Sequence, residues 1–248
     1  MPEPVFHLQD VVYSYEGGVT ALNKMSLAVA AGTHVALLGA NGSGKSTLLR
    51  VLDGLCFPQG GTVTAFGAPL TEESLRDDAF ACAFRRRVGL VFQNPDVQLF
   101  SMSVFDELAF GPLQLGWPKD EIRRRVAETL ETFGIAHLKD RPPHRLSGGE
   151  KKRVALASVL VLDPEVVLLD EPTAGLDLTS EGQMLDILAG WKAGAKTVVT
   201  ATHDLATVEE IADHCLVLCQ GTIAAEGPPA AILNDKELLV KTGLTYAR

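Results

Sequence analysis

The chain has 248 residues, of which 46% are hydrophobic, and its formal net charge is −9. This length and apolar content allow one α/β domain with a buried core and a small inserted subdomain. The acidic balance argues against nucleic acid or an anionic membrane surface as the main partner, so no nucleic-acid partner is expected. The four cysteines form no CxxC pair, which indicates thiols in a reducing compartment.

Neither a secretory signal nor a membrane-spanning helix is predicted. Residues 1–4 lack a basic region followed by an apolar core. The longest apolar run, residues 155–162, ends at Asp163-Pro164 and is much shorter than a helix that crosses a bilayer. We therefore expect a soluble chain whose attachment to a membrane is peripheral.

The predicted elements begin with a pair of β-strands. Residues 11–15 and 25–29 are strand-like and flank Gly17-Gly18, which indicates an antiparallel β layer. Later apolar runs are typical of strands buried on both faces, and they alternate with longer amphipathic segments. These runs lie at residues 35–38, 88–92, 166–169 and 197–201. They predict a mainly parallel sheet covered by helices.

The pattern becomes helical between about residues 100 and 160. A helix is predicted to begin at Pro118-Lys119, since Ile122, Val126, Leu130 and Phe133 then share one face. We predict a single domain over residues 1–248, with an inserted helical subdomain over about 96–160. The core and the β layer are assigned to about 1–95 and 161–248.

Residues 214–219 offer two interpretations. His214, Cys215 and Cys219 contain metal-ligating atoms, but the segment is mostly apolar and Cys215 and Cys219 share a face if it is a strand. We therefore favour a strand over a metal site.

A glycine-rich loop follows the first buried run and precedes a helix. Residues 39–46 fit the pattern G-x-x-x-x-G-K-[ST]. Glycines let backbone N–H groups turn around phosphate oxygens, and the helix N-terminus adds partial positive charge. Lys45 is expected to contact the terminal phosphates, and Ser46 to coordinate Mg²⁺. The predicted phosphate-binding residues are Gly39, Asn41, Gly42, Ser43, Gly44, Lys45, Ser46 and Thr47.

Two carboxylates follow the apolar run at residues 166–169. Adjacent acids at the end of a buried strand are costly unless a cation is near. Asp170 is therefore expected to hold Mg²⁺, directly or through water. Glu171 is expected to face the attacking water and to act as the general base.

Residues 146–150 carry the segment that relates the chain to a known family. The run Leu146-Ser147-Gly148-Gly149-Glu150 resembles the signature of ABC-type ATPases, which other phosphate-loop enzymes lack. The resemblance covers about residues 6–227. It implies an α/β ABC ATPase fold: a P-loop NTPase core with an N-terminal antiparallel β layer and an inserted helical subdomain. It also implies ATP hydrolysis, with ATP and Mg²⁺ as cofactors. The family most often has glutamine where Glu150 stands.

The resemblance assigns further roles in chain order. Gln93 resembles the loop glutamine that senses Mg²⁺, Asp177 lies in a loop like the one that crosses the dimer interface, and His203 resembles the switch histidine. Tyr15 is the candidate for stacking on adenine, with Tyr13 as the alternative. The signature is implied to face the ATP of a second copy, so a homodimer is expected, with a homologous partner chain as the alternative.

Residues 93–100 resemble the energy-coupling-factor branch of ABC importers. This likeness implies integral membrane partners that contact the segment from Gln93 to Phe100 at the cytoplasmic face of the cell membrane. Importers of that branch carry cobalt, nickel or vitamins. Because the chain stops soon after Gly227, it is more similar to the metal importers, so cobalt is the expected cargo and nickel is next.

Four other classes of protein compete with this assignment. A vitamin importer and a soluble ABC ATPase outside transport stay open as alternatives. ABC ATPases of DNA repair or translation are disfavoured because the chain has no long coiled coil and no second cassette. A P-loop kinase is disfavoured because it has no use for residues 146–150.

Overall fold

The N-terminal layer is an antiparallel sheet of four strands. In this computed structural model, which describes residues 4–192, 194 and 196–245, the strands are β1 (Pro4–Ser14), β2 (Thr20–Ala30), β4 (Gly60–Ala65) and β5 (Ala68–Pro69). Their order is β2-β1-β4-β5. The turn from β1 to β2 contains Gly17-Gly18, as predicted, with φ of 96° and 83°. Glycine adopts such values without strain.

Among the described residues, the second sheet has six strands, and five of them run parallel. They are β3 (His34–Leu38), β6 (Val88–Val91), β7 (Val166–Asp170), β8 (Thr197–Thr202), β9 (His214–Cys219) and β10 (Thr222–Gly227). Their order is β10-β9-β3-β8-β7-β6, with β10 antiparallel to β9. Every residue of β3, β7 and β8 is buried, which explains why these strands consist mostly of apolar or β-branched residues. The predicted parallel sheet is confirmed.

Nine α-helices of four to fourteen residues lie in the described part of the chain. They are α1 (Lys45–Leu52), α2 (Asp78–Arg87), α3 (Val104–Gln114), α4 (Lys119–Thr132), α5 (Gly148–Leu160), α6 (Leu178–Trp191), α7 (Val208–Ile211), α8 (Pro229–Asn234) and α9 (Lys236–Lys241). The predicted helix after Pro118 is α4, and Ile122, Val126 and Leu130 form its buried face. Helices α3 to α5 occupy the interval that we assigned to the helical subdomain, and that division stays a prediction.

Alternate residues of the six-stranded sheet contribute to two hydrophobic cores, one on each face of the sheet. Val35 and Leu37 pack with α1 and the antiparallel layer on one face. Ala36 and Leu38 pack with helices α3 to α6 on the other. The sheet is therefore covered on both faces, and the carboxyl ends of β3, β7 and β8 meet at one edge. In parallel sheets, ligands bind at this edge.

The strand interpretation of residues 214–219 is confirmed by β9, in which Cys215 is buried. Within residues 4–192, 194 and 196–245, no cluster of His, Cys, Asp or Glu side chains is arranged to hold a metal ion. Among the same residues, none of the helices has the length and apolar content that crossing a membrane requires.

Candidate nucleotide-binding site

The phosphate loop joins β3 to α1 at the sheet edge described above. Residues 41–47 line a cavity of about 240 Å³ together with Tyr15, Gln93 and Glu171. Gly44 has φ of 108°, and a Cβ there would lie 2.5 Å from the carbonyl oxygen of Ala21. Only glycine fits this position, which lets the loop turn tightly into α1. We call this space the phosphate-loop cavity.

Lys45 lies buried at the base of the phosphate-loop cavity. Its Nζ donates to the carbonyl oxygens of Gly39, at 2.7 Å, and Ala40, at 3.3 Å, and lies 4.0 Å from Glu171 Oε1. Burial lowers the pKa of Lys45, while the carboxylates of Glu171 and Asp170 oppose that shift. The loop's own carbonyls thus fix the ammonium group beside the cavity.

Ser46 and Asp170 bring two oxygen ligands together. Ser46 Oγ donates to Asp170 Oδ1 over 3.0 Å, across a sequence separation of 124 residues. Burial raises the pKa of Asp170, and the hydrogen bond from Ser46 opposes this. A hydroxyl and a carboxylate are hard oxygen donors of the kind that Mg²⁺ prefers, and Gln93 lines the same cavity. These residues therefore fit the magnesium ion that the sequence predicts.

Glu171 and His203 meet across neighbouring strands. Glu171 follows β7 and its backbone N–H donates to the carbonyl of Ala201 in β8 over 2.9 Å. His203 Nδ1 lies 2.8 Å from Glu171 Oε1. The Glu171 side chain is 7% exposed and that of His203 is 56% exposed. The pair thus connects the buried carboxylate at the cavity to solvent.

The signature residues form the N-terminus of α5. Ser147 Oγ accepts from the backbone N–H of Glu150, and Glu150 Oε2 accepts from the backbone N–H of Ser147 over 2.8 Å. This is a capping box, and the backbone bond lowers the pKa of Glu150. Glu150 therefore has a structural role that glutamine can also fill. Leu146, which precedes the helix, is buried, whereas Ser147 and Gly148 are exposed.

The signature residues are absent from the lining of the phosphate-loop cavity of their own chain. Asp177 is also exposed, and it caps α6 by accepting from the backbone N–H groups of Thr179 and Ser180. These hydrogen bonds lower the pKa of Asp177. One chain therefore brings together the phosphate loop, the two acids and His203, but not the signature.

Tyr15 and Tyr13 differ in where their rings lie. Tyr15 is 37% exposed, lines the phosphate-loop cavity, and its hydroxyl lies 2.9 Å from Thr47 Oγ1. Tyr13 packs edge-on against Tyr15 at 5.1 Å and contacts the core. A hydrogen bond with Cys56 raises the pKa of Tyr13 to about 12. Of the two candidates, Tyr15 faces the cavity.

The sequence pattern did not predict every residue around the cavity. Val19, Thr20 and Ala21 line it from the start of β2. Val19 precedes β2 of the other sheet, and Thr20 and Ala21 are its first residues. They carry no motif, so only the packing of the two sheets brings them there. The sequence also predicts no role for Lys152, which lies on the signature helix and donates to the backbone carbonyl of Glu171.

A strand, a glycine-rich loop with lysine and serine, and two acids at the carboxyl end of another parallel strand of the same sheet form a nucleoside-triphosphate site. The fold and this site define a P-loop ATP-binding protein. Comparison with known proteins narrows this class. A family profile described as ABC transporter matches residues 22–174.

Two curated proteins of Rhodobacter capsulatus are similar over almost the whole chain. The nickel import ATP-binding protein NikO is 58% identical, covering 97% of this chain and 96% of NikO. The cobalt import ATP-binding protein CbiO is 46% identical, covering 97% of this chain and 85% of CbiO.

Two solved structures share the fold. One is cbiO1 from Clostridium perfringens, part of the transporter complex cbiONQ, with 37% identity and a TM-score of 0.81 over 98% of this chain and 96% of cbiO1. The other is a dimeric, post-hydrolysis structure of the ATP-binding cassette MJ0796 with ADP and phosphate. It has 27% identity and a TM-score of 0.82 over 90% of this chain and 98% of the cassette. The chain belongs to the ABC transporter family, and it is an ATPase.

Proposed function

We propose that the chain is the ATP-hydrolysing subunit of an importer of the energy-coupling-factor type for a divalent transition-metal ion, nickel or cobalt. The observation that carries the proposal is the joining of Lys45, Ser46, Asp170, Glu171 and His203 at one sheet edge. The identity with NikO and CbiO, whose names specify nickel and cobalt, supports the cargo.

Each residue at the cavity has a separate role in ATP hydrolysis. Lys45 and the backbone N–H groups of the phosphate loop bind the phosphates of ATP. Glu171 accepts a proton from the attacking water, and His203 orients the carboxylate through its 2.8 Å contact. Ser46, Asp170 and Gln93 would hold Mg²⁺. When bound, Mg²⁺ supplies positive charge beside the phosphate oxygens.

Two copies are proposed to enclose each ATP. The exposed N-terminus of α5 offers the hydroxyl of Ser147 and the backbone N–H of Gly149, and in its own chain it lies outside the cavity. A second copy would present these groups to the γ-phosphate and exclude water. The dimeric MJ0796 structure supports this arrangement. Hydrolysis removes the phosphate between the two copies, so the dimer opens.

Membrane partners are proposed to dock on an apolar surface next to Gln93, at the cytoplasmic face of the membrane. This docking patch consists of Val97, Phe100, Met102, Phe110 and Leu113, each between 42% and 85% exposed. The rings of Phe100 and Phe110 pack edge to face at 4.9 Å. Such a patch is favourable for a partner helix to bury.

One buried and one half-buried polar side chain fix the backbone of the docking patch. Glu107 is buried, and its Oε2 accepts from the backbone N–H groups of Phe100 and Ser101. Gln98 accepts from the backbone N–H of Phe92 and donates to the carbonyl of Ala155 in α5. Movement of the patch is therefore linked to both the Gln93 loop and the signature helix, which suits energy coupling.

Purification from membranes tests this function. The tagged chain is expressed with the products of its neighbouring genes and purified in detergent, and bound metals and vitamins are measured by mass spectrometry. Integral membrane subunits with nickel or cobalt are expected, and a vitamin would overturn the cargo. Phe100→Glu should abolish co-purification while ATP binding persists, because the charge lies in the docking patch. A chain that hydrolyses ATP but never co-purifies with membrane subunits would favour a soluble ABC ATPase.

A further inference from the structure

Lys152 projects from the signature helix α5 toward the backbone that follows Glu171. Its Nζ donates to the carbonyl oxygens of Glu171 at 3.0 Å, Pro172 at 3.2 Å and Ala174 at 2.5 Å. A protonated lysine has three N–H donors, and here each has a carbonyl acceptor within four residues of chain. Burial lowers the pKa of Lys152, and the Glu171 carboxylate opposes that shift.

The segment that Lys152 holds has an uncommon backbone conformation. Glu171 has φ of 48°, in the left-handed region that residues with a Cβ adopt only at a cost in conformational energy. Its N–H is bound by Ala201 and its side chain by His203. The ammonium group of Lys152 donates to the backbone carbonyl of Glu171, which is the third group of this residue to be held by a hydrogen bond. The backbone and the carboxylate of Glu171 are thereby held from three directions.

The basic residues beside Lys152 make different contacts. Lys151 forms an ion pair with Asp96 over 2.6 Å, at a carboxylate that is 62% exposed. Arg153 donates to Gln183 of α6 over 3.0 Å. Lys151 is therefore a matched control, since it has the same chemistry and the adjacent position on α5 but contacts a different segment.

We propose that Lys152 is a positioning residue for Glu171 and that it ties the signature helix to the general base of the same chain. The inference rests on the proposed role of Glu171. The N-terminus of α5 is the part proposed to contact the ATP of the partner copy. Closure on that ATP would therefore be transmitted through Lys152 to the base that hydrolyses this chain's own ATP.

Kinetics of Lys152 variants test the proposal. For Lys152→Met we expect kcat to fall about 10- to 100-fold, because a displacement of about 1 Å of a catalytic group has effects of this size. The affinity for ATP should stay within about threefold, since Lys152 does not line the phosphate-loop cavity. Lys151→Met should leave kcat within about twofold, and Lys152→Arg should restore part of the rate. Equal losses in Lys151→Met and Lys152→Met, or a loss of ATP affinity without a change in kcat, would overturn the proposal.

A double-mutant cycle separates this inference from the role of Glu171. If Lys152 acts through Glu171, Lys152→Met should cause no further loss of rate in a Glu171→Gln background, measured by single-turnover hydrolysis. Independent, multiplicative losses would refute the positioning role. Wild-type hydrolysis by Glu171→Gln alone would instead refute the assignment of the base. All variants are compared at a temperature where their circular dichroism matches the wild type, and Lys152→Gln takes the same test if Lys152→Met does not fold.

Discussion

Replacing His203 by alanine tests the link between the buried base and the solvent. The substitution removes the 2.8 Å contact between His203 Nδ1 and Glu171 Oε1 but leaves the phosphate loop intact. A hydrogen bond to a charged group contributes about 1.5–3 kcal/mol. A change of about 1.36 kcal/mol in activation free energy changes the rate tenfold. If the whole contribution of this bond acts on the transition state, its loss should lower kcat by about 10- to 100-fold.

The assay for His203→Ala is steady-state phosphate release over a range of ATP concentrations. His7→Ala is the control, because His7 is exposed in β1, in the antiparallel layer. Its kcat should match the wild type. An unchanged kcat in His203→Ala would refute the view that the contact with Glu171 orients the base.

Three further perturbations have expected outcomes. Gly44→Ala should lower the free energy of unfolding by about 1–3 kcal/mol in urea titrations and weaken ATP binding, because φ is 108° and a Cβ meets a backbone carbonyl. Gly190→Ala is the control: the space around its Cβ is open, so this substitution should be neutral or stabilising. Ser46→Ala should raise the Mg²⁺ concentration needed for half-maximal hydrolysis, since one of the two oxygens is lost; an unchanged Mg²⁺ titration would contradict this assignment. Asp53→Asn should reduce the loss of stability between about pH 5 and 8, measured by urea unfolding at both pH values; an identical pH dependence in both proteins would contradict it.

The Asp53 prediction follows from its burial beside Arg85. Burial raises the pKa of Asp53 to about 7, although the Arg85 guanidinium, 3.1 Å away, opposes the shift. The folded protein therefore retains a proton that an unfolded carboxyl, with a pKa of about 3.9, has released. The stability from this proton is complete below about pH 4 and is lost as pH rises through about 7. Between pH 5 and 8 the loss is about 2.6 kcal/mol, and an Asn side chain, which does not titrate, cannot show it.

The central strands were predictable because burial on both faces leaves a continuous apolar run. Strand β7 follows this rule, whereas β8 is buried as fully but is rich in β-branched residues, including threonine. Strands β4 and β10 do not, since they are rich in glycine, threonine or alanine and are only partly buried. Helix α2 was not predicted either. Its last residue, Arg87, stacks 3.4 Å from the ring centroid of Phe66 and pairs with Glu165, which are tertiary contacts that no local pattern contains.

The residues of the candidate site divide in the same way, into those that a local motif predicts and those that only tertiary packing brings together. The phosphate loop and the acids after β7 have local motifs, and parallel strands bring their ends together. The contact between Glu171 and His203 was implied only as an order along the chain, and the structure adds its 2.8 Å distance. The three hydrogen bonds of Lys152 could not be predicted, since they depend on how α5 packs against the end of β7.

The most direct test of the proposed ATP-sandwich dimer is the molar mass of Glu171→Gln with and without ATP, by size-exclusion chromatography with light scattering. The chain has a mass of 26.5 kDa. If Glu171 is the base and the signature of a second copy closes over the γ-phosphate, ATP should double the measured mass of this variant and the complex should persist. A variant that stays monomeric with bound ATP, or that hydrolyses ATP at the wild-type rate, would contradict the account.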